Sequence, residues 1–299
     1  MQASTKALGF GLLAVLFWST AGSAFKLSLS YADPPNLLLI AVLTSFLVLL
    51  LMSLLQGRFD QVFGDGKRAW MHSALLGLLN PFLYYLILFE AYDRLLAQEA
   101  MVLNYLWPVI LVLLSIPMLG QVPSQFQWAG ILLGFSGTLV IASQGSILGF
   151  TFQDPVGVAL ASGSAFIWAL YWLLNLKDQR ESLPKLSLNF FFGLAYILVY
   201  ILVRGHPLPS LPQALPGGVY IGLFEMGITF VLWLSALKYA RNTATVSNLV
   251  FLSPLLSLFW IHLLVGEKIL STTGIGLALI LLGIALQSSR IKANKPIQD

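Results

Sequence analysis

The sequence predicts an all-α polytopic membrane protein with about ten transmembrane helices in two related halves. Charged residues make up only 9% of the 299-residue chain, and long apolar runs recur between short polar loops. A soluble domain of ordinary composition carries roughly 25% charged residues. With a mean hydropathy of +0.85, the chain has too few polar residues to cover a water-facing surface, so the excess apolar side chains must face lipid.

The apolar runs have the length that membrane helices require. About 20 helical residues cross a hydrocarbon core of about 30 Å, whereas isolated strands would leave unpaired backbone groups in lipid. The runs are too long and too continuously apolar for barrel strands. The predicted spans are residues 7–26, 36–56, 70–90, 96–118, 126–143, 156–175, 187–204, 215–237, 243–265 and 272–289.

Lysine and arginine are distributed unequally between the two sides that these spans define. Twelve of the 16 lie on the side of the two termini, and four lie on the other side. Because cytoplasmic loops carry the excess of positive charge, both termini are expected to be cytoplasmic.

The composition argues against several other chemistries. The chain has no cysteine, which excludes disulfides, thiol catalysis and cysteine metal sites. Its histidines, His72, His206 and His262, show no paired spacing for zinc, and neither HExxH nor GxSxG occurs. The net charge of +4 is spread over short loops, so nucleic-acid binding is not expected. We therefore expect neither an enzyme nor a cofactor. The expected partners are a small-molecule solute and the bilayer, with the chain acting as a monomer.

The two halves of the sequence align when one is shifted by 146 residues. Pro108 then falls on Pro254, and Gly120 falls on Gly266. Five spans per half is an odd number, so the second half must enter the membrane inverted. The predicted units are a five-helix repeat in residues 1–146 and an inverted one in residues 147–299, with a solute site between them near the midplane.

The aligned prolines, Pro108 and Pro254, fall in the middle of corresponding spans. Proline inside a helix frees a backbone carbonyl and kinks the helix. The sequence leaves open whether these kinks are static or are hinges of a gate.

Glu225 is the most informative polar residue, because it lies about ten residues into the eighth predicted span. A charge at the bilayer centre costs about 2.5–3.5 kcal/mol on insertion scales, so Glu225 must face protein or water. Its repeat-equivalent position is Asn80 in the third span. Both residues are candidates for a substrate or proton site, and a hydrogen bond between helices is the structural alternative.

Aromatic residues occur at mid-span depth as well as at the interfaces, where Trp and Tyr are usually enriched. The aromatic candidates for a solute site are Trp18, Tyr84, Tyr105, Trp107 and Trp168. Trp107 and Trp168 either line a cavity for an aromatic solute or fill helix interfaces. The sequence leaves both interpretations open.

Several segments resemble the EamA-type drug/metabolite transporter superfamily, and the resemblance covers nearly the whole chain. It rests on the stretch from Phe17-Trp18-Ser19-Thr20 to Lys26, on Asn104-Tyr105-Leu106-Trp107-Pro108, and on the spacing from Pro254 to Gly266-Glu267. Residues 99–108 and 166–171 look most like the YddG branch, which exports aromatic amino acids.

The resemblance implies two inverted five-helix halves around a central cavity in a bacterial plasma (inner) membrane. It also implies that Tyr84, Tyr105, Trp107 and Trp168 line that cavity. Two features depart from the pattern: residues 41–45 lack the Arg of many relatives, and Glu225 has no counterpart assigned in the YddG branch. The predicted substrate-binding set is Trp18, Asn80, Tyr84, Asn104, Tyr105, Trp107, Trp168 and Glu225.

The predicted function is export of small zwitterionic metabolites by alternating access, with amino acids, and aromatic or bulky neutral ones in particular, as the preferred solutes. The alternative is export of other small metabolites or drugs in the same superfamily. A channel or a membrane-embedded enzyme is less favoured, because the inverted repeat is typical of transporters and no catalytic constellation occurs. Phosphorylated solutes would require mid-membrane Lys or Arg, which the predicted spans lack at that depth.

Overall fold

The computed structural model describes residues 2–120, 124–142, 154–207, 211–239 and 248–288, and these ranges contain helices but no strand. The helices of the first half are α1 (Gln2–Leu29), α2 (Pro34–Leu55), α3 (Phe59–Gly64), α4 (Gly66–Gly77), α5 (Tyr84–Arg94), α6 (Ala97–Asn104), α7 (Trp107–Leu119) and α8 (Gln125–Ala142). The helices of the second half are α9 (Pro155–Leu176), α10 (Ser182–Arg204), α11 (Leu211–Ile221), α12 (Ile228–Tyr239), α13 (Leu252–Trp260) and α14 (Ser271–Ser288).

Seven helical stretches of the described residues are long and apolar enough to cross a membrane. They are Thr5–Leu29, Pro34–Leu55, Gly66–Arg94, Ala97–Met118, Pro155–Asn175, Ser182–Arg204 and Pro212–Tyr239. Three shorter apolar helices, Trp128–Ile141, Leu252–Val265 and Ser271–Leu286, lie near the remaining predicted spans. Residues 243–247 of the ninth predicted span lie outside the described ranges. The chain is an all-helical polytopic membrane protein.

The outward faces of these helices are apolar. Leu51 is 54% exposed, and Leu202 and Val203 are each 78% exposed. Aliphatic side chains exposed to this extent would be costly in water but are favourable against lipid tails. The exposed faces are therefore the lipid-facing surface that the composition predicts.

Two aspartates begin long helices at sequence positions that favour a helix start. The side chain of Asp33 accepts a hydrogen bond from the backbone N–H of Asn36, 2.9 Å away, and Asp154 accepts one from Gly157 at 2.8 Å. A proline follows each aspartate in the first turn, where its missing N–H has no helical partner to lose.

Three of the long spans are interrupted, although the sequence predicts each of them as one continuous span. A π-helical turn over Leu78–Leu83 joins α4 to α5, and another over Gly222–Gly227 joins α11 to α12. The third interruption separates α6 from α7 and is followed at once by Pro108, in the first turn of α7. The chain thus breaks just before the proline, because a proline is tolerated at a helix start but not within a continuous helix.

Helices from the two halves interleave in the packing. Helix α1 packs on α12 and α13, α9 packs on α5 and α7, α2 packs on α10, and α8 lies along α14. The largest fully buried side chains include Tyr85, Phe89, Phe190 and Phe230, which belong to one core shared by both halves.

The loops divide into two groups at opposite ends of the helices. One group, called here the positive end, contains residues 56–68 and 177–181, which an ion pair joins at 3.0 Å between Arg58 Nη1 and Glu181 Oε2. The other group, the opposite end, contains residues 30–33, 95–96 and 266–270. There the ammonium group of Lys26 donates to the backbone carbonyls of Tyr92 at 2.7 Å and Leu95 at 2.8 Å.

Candidate functional site

A cavity of about 310 Å³ lies between α1, α5, the α6–α7 break, α9 and α12. Of the lining residues in the described part of the chain, Glu225 is the one with a carboxylate, and none is Lys, Arg or His. The lining residues are Trp18, Ala21, Gly22, Phe25, Tyr84, Leu88, Tyr92, Met101, Asn104, Tyr105, Trp107, Leu111, Trp168, Trp172, Glu225, Trp233, Leu237, Val250 and Ser257.

One wall of the cavity is a stack of aromatic rings from α5 and α9. The rings of Tyr84 and Trp168 are nearly parallel at a centroid distance of 4.5 Å. The ring of Tyr171, which does not line the cavity, is nearly parallel to that of Trp168 at 5.6 Å. Trp172 meets Trp168 edge-on at 5.7 Å. These contacts fix the indole of Trp168, so the wall presents a rigid apolar surface.

The facing wall comes from α1 and α12. Trp18 packs against Trp233 at a centroid distance of 5.3 Å. The indole N–H of Trp18 points at the backbone carbonyl oxygen of Glu225, 3.4 Å away. Trp18 is thereby oriented by the π-helical turn that also carries the Glu225 side chain.

The carboxylate of Glu225 has two different surroundings. Its Oε1 accepts a hydrogen bond from the hydroxyl of Tyr85 at 3.0 Å. Its Oε2 is buried and has no hydrogen-bond partner among the described residues. An unpaired anionic oxygen beside aromatic rings is suited to bind a positively charged group, such as a primary amine.

Asn104 forms the polar edge of the aromatic stack. Its Oδ1 accepts from the hydroxyl of Tyr84 at 3.2 Å, and its Nδ2 donates to the hydroxyl of Ser164 at 2.9 Å. Asn104 is the last residue of α6, so this network ties the α6–α7 break to both α5 and α9. The adjacent Tyr105 and Trp107 line the cavity from the break itself.

Phe25 and Tyr92 line the cavity on the side of the opposite end, where Lys26 also lies. The rings of Phe25 and Tyr92 meet edge-on at 5.2 Å, and Lys26 holds the Tyr92 carbonyl. Nearby, the carboxylate of Glu267 accepts from the backbone N–H groups of Ala97 at 2.7 Å and Gln98 at 3.2 Å. Glu267 therefore caps the N-terminus of α6 from the loop between the last two predicted spans.

The structure brings most of the predicted site residues together. Seven of the eight line the cavity: Trp18, Tyr84, Asn104, Tyr105, Trp107, Trp168 and Glu225. Asn80 is different, because it is fully buried and does not line the cavity. Pro108 begins α7 beside the cavity, and Pro254 lies in the first turn of α13.

Sequence reasoning missed the partner of Glu225, Tyr85, and the lining residue Tyr92. Tyr85 and Tyr92 lie seven residues apart, so they share a face of α5 directed at α1 and α12. That spacing is readable from the sequence, but it could not show that Tyr85 would meet Glu225, 140 residues away. Among the described residues no group of three or more His, Cys, Asp or Glu could hold a metal ion.

Comparison with known families decides which class of protein carries this cavity. The model of the EamA-like transporter family matches residues 5–143 and 155–289. The chain belongs to this family. EamA-like proteins and the relatives described next are transporters rather than enzymes, so the resemblance to the drug/metabolite transporter superfamily is confirmed.

Several curated proteins are similar to this EamA-like chain over most of their length. An uncharacterized transporter of Archaeoglobus fulgidus is 25% identical over 284 residues, which cover 93% of this chain and 96% of the relative. The aromatic amino acid exporter YddG of Ancylobacter novellus is 28% identical over 257 residues, or 83% of this chain and 84% of the relative. One crystal structure superimposes on this chain with a TM-score of 0.65 at 24% identity. The match covers 95% of this chain and 96% of the chain in the crystal structure, which shows a shared fold.

Proposed function

We propose that this EamA-like protein is a secondary transporter that exports small zwitterionic metabolites by alternating access, with amino acids, and aromatic or bulky neutral ones in particular, as its solutes. It acts as a monomer with ten transmembrane helices in two inverted five-helix repeats, residues 1–146 and 147–299. The observation that carries the proposal is the aromatic cavity with one unpaired carboxylate oxygen, at Glu225.

The contacts between α8 and α14 support a two-fold relation between the halves. The repeat pairs Gly130 with Gly276 and Gly137 with Gly283. A Cβ added at Gly137 would lie 2.6 Å from the carbonyl oxygen of Gly276, and one added at Gly283 would lie 2.5 Å from that of Gly130. The contact of Gly137 with Gly276 is therefore repeated, with the halves exchanged, by the contact of Gly283 with Gly130. Paired contacts of this kind are expected across a two-fold interface.

The packing of the other helices follows the same relation. Under the repeat, α1 corresponds to α9, α12 to α5, and α13 to the end of the α6–α7 span. The contacts of α1 with α12 and α13 are accordingly matched by those of α9 with α5 and α7. The family model also matches two successive segments of nearly equal length, residues 5–143 and 155–289.

The orientation of the protein in the membrane is inferred from its distribution of charge. The positive end carries most of the Lys and Arg, and positive loops are retained in the cytoplasm. The positive end, with both chain termini on its side, therefore faces the cytoplasm of a bacterial plasma membrane.

The chemistry of the cavity favours an amine over an anion. Glu225 supplies negative charge, and no cation among the described lining residues is present to hold a phosphate. The rings of Tyr84, Trp168 and Trp18 offer flat surfaces on which an aromatic side chain can pack. Such ring pairs contribute about 0.5–1.5 kcal/mol beyond the burial of area, and a cation over a ring gains about 0.5–2 kcal/mol.

The interruptions in the helices lie where alternating access needs them. The π-helical turn of Gly222–Gly227 carries Glu225, and the α6–α7 break carries Asn104, Tyr105 and Trp107. Helix interruptions around a midplane site are typical of transporters built from inverted repeats. Rocking of one half against the other about these points would expose the cavity to the two sides in turn.

The proposal is tested by transport into proteoliposomes over a panel of amino acids. Trp107→Ala and Trp168→Ala are expected to raise KM for phenylalanine about two- to twelvefold relative to alanine, because each removes a ring contact. Trp128→Ala is the matched control, since Trp128 is 48% exposed and lies outside the cavity. If the variants lose transport of phenylalanine and of alanine equally, the two rings have a structural role and do not select the solute. A wild type that moves no aromatic amino acid would contradict the solute assignment.

A further inference from the structure

Buried polar atoms without hydrogen-bond partners concentrate on one path through the described part of the protein. Seven such side-chain atoms belong to five residues, Asn80, Tyr171, Asn175, Asn189 and Glu225. Proteins satisfy nearly all buried polar atoms, and ordered water is the partner where protein supplies none. A concentration of such atoms along one path therefore indicates a hydrated route.

The middle of this path is the hydroxyl of Tyr171. Asn80, from the first π-helical turn, and Asn189, from α10, both approach this hydroxyl, and each of the three residues is at most 1% exposed. Both amide groups are close enough to interact with this hydroxyl, but none of the five polar atoms has a hydrogen-bond partner of regular geometry, so a small bridging molecule can connect them. Tyr171 also faces Tyr85, whose hydroxyl donates to Glu225. The path therefore begins at the cavity carboxylate.

From Tyr171 the path continues between α9 and α10 toward the positive end. Tyr171 and Asn175 lie one turn apart on α9, and Asn189 and Lys185 lie one turn apart on α10. The ammonium group of Lys185 donates to the backbone carbonyl of Asn175 at 3.4 Å and to that of Asp178 at 2.9 Å. Polar groups thus follow one another from the membrane interior to the loop after α9.

The path ends in a charged cluster at the positive end. The Asp178 carboxylate accepts hydrogen bonds from Arg180, the shortest at 2.6 Å, and lies 3.1 Å from Nδ1 of His72. Burial raises the pKa of Asp178, but the hydrogen bonds and charge of Arg180, with the charge of Lys185, outweigh burial and hold that pKa well below its ordinary value. Asp178 is therefore an anion beside a partly exposed imidazole, where protons exchange with bulk water.

Among the described residues, the titratable groups that interact with Glu225 are tyrosines. Tyr84, Tyr85 and Tyr92 face it from α5, and Tyr105 faces it from the α6–α7 break. None of these carries a compensating positive charge. The negative charge of Glu225 is therefore neutralised either by a bound proton or by a positively charged group of the solute.

We propose that this path, called here the polar file, carries protons between Glu225 and the positive end separately from the solute cavity. The inference rests on the proposed function and adds the coupling ion. The protonated Glu225 gives its proton to a water of the file, and the proton passes along the file to bulk water at the positive end. The carboxylate that remains pairs with the ammonium group of the solute. A separate route lets the proton leave while the solute occupies the cavity.

Hydration of the polar file is tested by cysteine labelling, for which the chain is suited because it contains no native cysteine. Asn175→Cys and Asn189→Cys are introduced singly and treated with methyl methanethiosulfonate in lipid nanodiscs. We expect labelling at least tenfold faster than for Leu186→Cys and Leu188→Cys, apolar positions on α10 that are 1% and 0% exposed, against 8% for Asn175 and 0% for Asn189. Labelling as slow as at the two leucine positions would overturn the polar file.

The proton role is tested in proteoliposomes by comparing net accumulation of phenylalanine driven by a pH gradient with phenylalanine counterflow at equal pH. Tyr171→Phe and Asn189→Leu are expected to lower pH-driven accumulation at least fivefold. Counterflow should stay within twofold of the wild-type rate. Thr273→Val is the control, because its hydroxyl is equally buried and unpartnered but lies on α14. Tyr171→Phe removes only the hydroxyl and keeps the shape of the side chain. The test can therefore be decided by this variant alone if Asn189→Leu does not fold.

Each remaining outcome of these two tests has a defined meaning. A wild type whose accumulation ignores the pH gradient would overturn the proton role, as would variants that retain the full pH-driven accumulation. Absence of phenylalanine counterflow in the wild type would refute the proposed solute, and the labelling rates would still decide whether the polar file is hydrated.

Discussion

The π-helical turns of Leu78–Leu83 and Gly222–Gly227 occupy places that correspond under the proposed repeat, but they carry different chemistry. Each interrupts a long span at mid-depth, and a glycine at its edge, Gly77 or Gly222, packs against the backbone of a helix from the other half. In the second turn Glu225 lines the cavity. In the first turn Asn80 is fully buried beside Tyr171 and away from the cavity.

Under the proposed repeat, the two turns share their backbone packing and differ in their side chains. The glycines keep the helix contacts that both halves need. The polar residues lie in two places, Glu225 at the cavity and Asn80 in the buried stretch proposed as the polar file. Changes at the glycines should therefore affect both halves alike, and changes at the polar residues should not.

The largest expected effect is from Glu225→Gln, which removes the charge and keeps the shape. The loss of a hydrogen bond to a charged group, worth about 1.5–3 kcal/mol, should weaken phenylalanine transport at least about tenfold and remove its pH dependence. The measurement is proteoliposome uptake from pH 5.5 to 8.5. Glu181→Gln makes the same chemical change in an ion pair with a 58% exposed carboxylate, and it should change little. An unaltered pH profile in Glu225→Gln would leave that residue a structural role only.

A smaller and more symmetrical effect is expected from Gly77→Ala and Gly222→Ala. The methyl added at Gly77 would lie 2.9 Å from Cβ of Phe192, and the methyl added at Gly222 would lie 2.6 Å from Cβ of Thr44. Overpacking of this kind costs about 1–3 kcal/mol, so both variants should melt at a lower temperature in detergent than the wild type. Gly163→Ala is the control, because nothing lies within 4 Å of its added Cβ. Sensitivity in one half alone would argue against the two-fold relation.

Much of the fold was predictable because lipid imposes simple rules on sequence. Long apolar runs must be helices, and the recurrence of Pro108 at Pro254 is the sequence signal for the proposed repeat. The interruptions were not predictable from hydropathy, because a π-helical turn uses the same apolar residues as the helix around it. Only Pro81 and Pro108 indicate where two of them lie.

Seven of the residues that line the cavity could be predicted from the sequence. The contacts between them could not. Mid-span aromatic residues and Glu225 were visible as side chains that lipid would not favour. Which residues meet depends on how spans far apart in sequence pack, as for Tyr85 with Glu225 and Asn104 with Ser164. Asn80 shows the limit most clearly, because its position in the repeat matches Glu225 while its side chain lies in a different environment.

The central claim is that this cavity recognises an amine beside an aromatic ring, and one competition measurement tests it directly. Phenylalanine counterflow is measured in proteoliposomes with phenethylamine, which lacks the carboxylate, or 3-phenylpropionate, which lacks the amine, as competitor. The pairing of an ammonium group with Glu225 predicts that phenethylamine competes and that 3-phenylpropionate is at least about tenfold weaker. Equal or stronger competition by 3-phenylpropionate would contradict the account.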